Sequence, residues 1–179
     1  WSDGLRRAPT LILSDVSLRM DSRGAQHQLN LALTPPTALG KPLGVRAGWT
    51  GRSFSEWATW QSSIALKTKE IDLAGWSAWV DYPVPIASGK ANVDLTVSAT
   101  GLDLTQIDGA IAIADMKAQL APGIKPLQIK RFSSEIDFHR QVDGKSQQLK
   151  LDGLTYTDAA GKTEPPTDLF VKQVLGFAD

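Results

Sequence analysis

The stretch Ser88-Gly-Lys-Ala-Asn-Val-Asp-Leu-Thr-Val-Ser-Ala-Thr-Gly101 decides the fold. Ala91, Val93, Leu95, Val97 and Ala99 alternate with Asn92, Asp94, Thr96 and Ser98. Side chains of a strand point to opposite faces in turn, so this pattern predicts a strand with one apolar and one wet face.

The same texture recurs on both sides. Towards the N-terminus, "TLILSDVSLRM" is expected to place Ile12, Val16, Leu18 and Met20 on one face, and "QHQLNLALT" groups Leu29, Leu31 and Leu33. "DSRG" between them has the residues of a hairpin turn. "PLGVRAGW" brings Val45 into phase with Leu43 and Ala47, and "SIALKTKEI" sets Ile64 and Leu66 opposite Lys67 and Lys69.

Towards the C-terminus, "IDGAIAIADMKAQL" is mixed: Ile107, Ile111 and Ile113 oppose Ala110, Ala112, Met116 and Leu120. "LQIKRFSSEIDFHR" reads as one long strand carrying Ile136 and Phe138. Its apolar phase flips between Ile129 and Phe132, so a β-bulge is expected at Lys130-Arg131. "QVDGK" is a turn, and "QQLKLDGLTY" returns with Leu149 and Leu151; in the tail "PPTDLFVKQVLGF" Asp168 could cap a helix or Leu169 and Val171 could start a strand, and a strand is the expectation. Roughly nine strands on short turns favour consecutive antiparallel pairing.

Two segments suggest short helices. "SFSE" (Ser53 to Glu56) has capping-box spacing ahead of Trp57 and Trp60. In "DLAGWSAWVDYP", Asp72 is a candidate N-cap, Leu73, Trp76 and Val80 share a helical face, and Pro83 ends the run. Nine strands at ~4.8 Å spacing make a sheet on the order of 40 Å wide. Two helices of about 12 Å cannot cover it. The sheet must curl, pack as two layers, or leave a groove for something apolar. The expected fold is therefore mainly β: a strongly curved antiparallel sheet with two short helices.

Composition narrows the function classes. Lys plus Arg number 19 and Asp plus Glu 19, for a net charge of zero. That balance argues against a nucleic acid partner and gives no polybasic membrane signal. There is no cysteine, hence no disulfide and no thiolate metal site. No apolar run is long enough to span a bilayer as a helix, and no signal peptide is visible.

Catalytic motifs are missing as well. His27 and His139 are far apart with no HxH or HExxH spacing; His27 is expected on the polar face beside Gln26 and Gln28, and His139 near a strand end. "GWSAW" lacks the last glycine of a nucleophile elbow, and "ASGKA" is a strand-entry turn, not a phosphate loop. Asp15, Asp94, Asp103, Asp108, Asp115, Glu135 and Asp137 are spaced as solvated faces are, not as a glycosidase pair. Trp57, Trp60, Trp76 and Trp79 could stack on sugars or sit at a membrane interface, but are expected as lids packed over the sheet. No enzyme activity, cofactor or metal is expected.

The order of landmarks is informative: "LSDVSLRM", "HQLNLALTPP", "SEWATWQSSIAL", "IDLAGWSAWVDYP", "ASGKANVDLTVS", "MKAQLAPGIKPLQIKRFSSEIDF" and "PPTDLFV" follow one another. The series resembles the YhdP-like branch of the AsmA-like family of Gram-negative envelope proteins, over nearly the whole chain. The resemblance implies an internal segment of a much longer periplasmic protein, anchored in the inner membrane by a helix this chain lacks. It implies a hydrophobic β-groove that carries phospholipid between inner and outer membranes, flanked by neighbouring β repeats of the parent chain, with phospholipid acyl chains as the ligand. The lining would be Ile12, Val16, Leu18, Leu29, Leu31, Leu33, Val45, Ile64, Leu66, Val93, Leu95, Val97, Ile136, Phe138, Leu149 and Leu151. The alternative is a closed β-sandwich serving as an envelope scaffold or interaction module.

Overall fold

A computed structural model describes residues 8–141 and 146–174. The expected turn at "QVDGK" lies largely outside these residues, as does the end of the tail. The strands are β1 (Ser14–Arg23), β2 (Gln26–Thr34), β3 (Leu43–Thr50), β4 (Gln61–Asp72), β5 (Ile86–Thr100), β6 (Asp103–Ala118), β7 (Leu127–Arg140), β8 (Ser146–Asp158) and β9 (Thr163–Val174). They form one antiparallel meander in sequence order. The sheet is not closed: β1 and β9 are its two edges. Packing contacts run between consecutive strands and from a short helix onto β4 and β5. No second layer is present among the described residues, so the two-layer sandwich is not the architecture found.

Helix is scarcer than the sequence suggests. Phe54–Thr59 makes a single 3-10 turn whose cap is Ser53, accepting from the Ser55 N–H at 3.4 Å and not from that of Glu56. Helix α1 spans only Leu73–Trp76. Asp72 caps it as expected, accepting from the Gly75 N–H at 2.7 Å. The run towards Pro83 does not continue as helix: Trp79 and Val80 still donate to the Trp76 carbonyl in a closing turn, and no helical residue follows it.

Phase changes along the strands have local causes. Register shifts between Ile129 and Arg131 against β8, which is the expected bulge. Three further irregularities carry an acidic residue at positive φ: Asp15 (49°), Glu70 (53°) and Asp115 (50°). Asp15 lies within the shift between Ser14 and Ser17, and Glu70 within that between Thr68 and Ile71. Asp115 separates Ile113 from Met116, which resolves the mixed pattern of β6; its carboxylate pairs with Lys130 at 2.9 Å. Followed through the pairing, these irregularities fall towards one end of the sheet. Asp and Glu tolerate this conformation less well than glycine, and each extra residue bends its strand and adds twist.

The core is small and sits at that same end. Leu11, Leu39, Ala91 and Ala118 are the buried apolar residues among those described, and no large side chain is fully buried. Trp76 donates its indole N–H to the Leu39 carbonyl at 3.0 Å, and Trp79 donates to the Pro9 carbonyl at 3.1 Å. These two rings meet edge-on with centroids 5.8 Å apart. They fasten the connecting segments over one end of the sheet and leave its middle uncovered.

Candidate functional site

Directly opposed residues of an antiparallel pair share a face, so the register traces surfaces across the whole sheet. One row runs Leu18, Leu31, Val45, Leu66, Leu95, Gly109, Ile136, Leu151, Leu169, one residue per strand from β1 to β9. The next runs Met20, Leu29, Ala47, Ile64, Val97, Ile107, Phe138, Leu149, Val171. A shorter third row includes the pair Leu33–Leu43 and the series Thr68, Val93, Ile111, Ser134. Each junction is an apolar cross-strand pair except at Gly109 and at the two hydroxyls.

Fourteen of the sixteen candidate lining residues therefore share one face of one sheet. The remaining two stand apart. Ile12 precedes β1 and is 74% exposed, while its neighbour Leu11 is the buried one. Val16 has no ladder partner, because the Asp15 bulge breaks the alternation that linked it to Ile12. The apolar row members outside the candidate set are Met20, Leu43, Ala47, Ile107, Ile111, Leu169 and Val171; the alternation holds them, and the register puts them in line.

These rows are not buried. Leu18, Met20, Ile64, Leu169 and Val171 are exposed, and the other paired members of the two long rows are half-buried. The accessible surface of the chain is 12290 Å². A compact monomer of 19.3 kDa has about 8500 Å². The difference is what a single layer exposes.

The opposite face is charged and internally paired. Lys67 bonds Asp94 across β4 and β5, Lys150 reaches Asp152 at 2.8 Å, and Arg19 reaches Asp21 at 2.8 Å. The carboxylate partners raise the pKa of Arg19 and Lys150 above their usual values, chiefly through the hydrogen bond. Shallow recesses, one of about 1170 Å³, are lined mainly by side chains of this face, such as Arg46, Lys67, Asp94 and Glu135. Of the candidate lining residues only Leu31, Val45, Val93 and Ile136 border them, each between polar-face neighbours. The apolar rows thus form a broad surface and not one of these pockets.

Histidine placement differs from expectation in one case. His27 lies on the face of Leu29, opposite Trp49, on which its ring stacks at 5.2 Å; it bonds Ser22 Oγ at 2.9 Å and the Gly51 carbonyl at 3.1 Å. Strand alternation sends it away from Gln26 and Gln28. His139 does lie near a strand end, 2.8 Å from Asp137, whose direct partner across β6 and β7 is Asp108. The ligand atoms of these three lie within 4.8 Å of one another. Asp108 also accepts from the Gln106 amide at 2.6 Å. All three are at the surface, where the contact of His139 with Asp137 and the amide of Gln106 on Asp108 account for the arrangement.

No helix of the described residues is long and apolar enough to cross a membrane. No family model matches the chain, and neither a curated protein nor a solved structure matches it.

Proposed function

We propose that this chain is a non-enzymatic lipid-contacting segment, and that its uncovered apolar face holds phospholipid acyl chains as part of a periplasmic AsmA-like conduit between inner and outer membranes. The observation that carries the reading is the pair of aliphatic rows that cross all nine strands without a covering layer. Surface of that kind must be hidden from water. Each acyl methylene transferred to it gains about 0.8 kcal/mol, so two chains of ~16 carbons supply on the order of 25 kcal/mol. Collective contact of this type needs no cofactor and no reactive side chain.

Curvature belongs to this proposal. It is supported by the register irregularities at Asp15, Glu70 and Asp115, which lie towards one end of the sheet; an extra residue of this kind generally bends and twists its strand. A sheet curled with Leu66, Leu95 and Ile136 inward would give a trough whose charged outer face meets solvent. Neighbouring β units of a longer parent chain would extend it at the β1 edge.

The test is a face-resolved photo-crosslinking scan in phosphatidylethanolamine–phosphatidylglycerol vesicles. A benzophenone amino acid is placed in turn at Leu66, Leu95 and Ile136 on the apolar face, and at Ala65, Thr96 and Ala110 on the other. Lipid adducts at the first set alone are expected. Adducts on both faces alike, or on neither, would overturn the reading.

A further inference from the structure

The edge strand β9 carries an exposed aromatic where its neighbours on the same face are charged. Phe170 lies between Asp168 and Lys172 on the polar side of the sheet and is 60% exposed. Leu169 and Val171 lie on the other side, in line with Leu151 and Leu149, and are also exposed. The outer backbone of β9 is unpaired in the sheet. An edge of this length normally carries protection against pairing. Here Pro165 and Pro166 protect only the first part of the strand, since proline has no N–H to offer.

We infer that a second copy of this chain pairs with the first through β9, antiparallel, about a two-fold axis at Phe170. The sequence around that point is self-complementary. With Phe170 opposite Phe170 of the other copy, Asp168 faces Lys172 and Lys172 faces Asp168, so both charge pairs are favourable. Leu169 then faces Val171 twice on the apolar side, which carries both long aliphatic rows across the junction. Pro166 falls opposite Val174, where the ladder stops. Directly opposed opposite charges and apolar pairs are the units that stabilise such a ladder. A two-fold axis through the sheet also keeps the two apolar faces on the same side.

The other edge fits less well. A two-fold pairing of β1 about Met20 would set Leu18 against Ser22, and Arg19 already binds Asp21 of its own strand at 2.8 Å. Pairing β9 with β1 of an equally oriented copy would be parallel, because odd-numbered strands run the same way. The inference does not depend on the ligand proposed for the apolar face.

Sedimentation velocity on the full 179-residue chain tests it. The wild-type chain is expected to dimerise. Lys172→Asp and Asp168→Lys each place like charges opposite one another and should raise the dissociation constant about tenfold or more. Lys172 forms no ion pair among the described residues, so Lys172→Asp leaves the monomer intact. Asp168 accepts from the Gly153 N–H at 2.9 Å, so Asp168→Lys is read beside it. An equimolar mixture of the two variants should regain the dimer, as should the double variant. The chain has no cysteine, so Phe170→Cys is a unique thiol on the axis and should form a disulfide dimer on oxidation, whereas Thr167→Cys should not. A monomeric wild type, an association indifferent to the charge variants, or equal cross-linking at both thiols would each overturn the inference.

Discussion

Leu95 of β5 stands directly opposite Gly109 of β6, and Gly109 has a φ of 138°. A Cβ at Gly109 would lie 2.0 Å from the Asp94 carbonyl oxygen and 2.9 Å from the Leu95 Cα. The two backbones approach too closely for any side chain, so the one gap in the central aliphatic row is required by the packing of the strands around it. Gly109→Ala should destabilise the fold by on the order of 3 kcal/mol, from the unfavourable φ and the backbone clash together. Gly24 is the control, since its φ is 60° but nothing lies within 4 Å of the added methyl. Gly24→Ala should cost about 1 kcal/mol. Urea midpoints of the two variants check the difference.

Leu95 itself separates stability from ligand contact. It is half-buried, in a layer that nothing covers, so Leu95→Glu should lose only about 1 kcal/mol of stability and keep the far-ultraviolet circular dichroism of the sheet. Binding of a fluorescent acyl probe should fall several-fold, because a carboxylate in an acyl track must be desolvated. Ala112→Glu, on the opposite face between Asn92 and Ser133, should leave probe binding unchanged. A probe indifferent to Leu95→Glu in a folded variant would argue that acyl chains do not run along this row.

The strand faces were legible in the sequence because the alternation in β5 is regular from Ala91 to Ala99, and each strand repeats it. The flip at Lys130-Arg131 was legible too, since an apolar residue changed parity there. Asp15 and Glu70 gave no such sign: an acidic residue reads as surface whether its φ is positive or negative. Simple alternation therefore carries Ile12 onto the sheet across a bulge that removes it. His27 departs from expectation for a different reason: its polar neighbours suggest a wet face, while alternation sends it to Trp49. The lines of contact from β1 to β9 depend on register, and register is fixed by pairing partners that no single strand contains.

The cap of α1 gives a third prediction. Asp72 accepts from the Gly75 N–H at 2.7 Å, and Trp76 anchors the same turn to the Leu39 carbonyl. Asp72→Ala removes the cap and should destabilise the chain by about 1 kcal/mol, whereas Asp72→Asn keeps an acceptor and should cost less. The effect should appear first as faster hydrogen exchange at Gly75, whose N–H loses its acceptor.

Tyr82, in the connection between α1 and β5, makes the stability of this end pH-dependent. Partial burial raises its pKa above the usual 10.0, and the charge of Asp72 raises it further. In the unfolded chain the phenol loses its proton near the usual value; in the folded chain it keeps it to higher pH. Above about pH 10 the unfolded state therefore binds fewer protons than the native one, and stability falls as pH rises through the folded pKa. Tyr82→Phe removes this proton from both states. Its urea midpoint should decline less between pH 9 and pH 11 than that of the wild type, by about the phenol's share of the slope. Lys150 and Lys162, held protonated by Asp152 and Glu164, lose their protons in the same alkaline range in both proteins and so cancel from the comparison. Asp72→Asn should flatten the alkaline decline in part, because it removes the smaller cause and leaves the burial. Parallel alkaline limbs for wild type and Tyr82→Phe would show that the phenol is solvated and that the α1 connection does not pack over it.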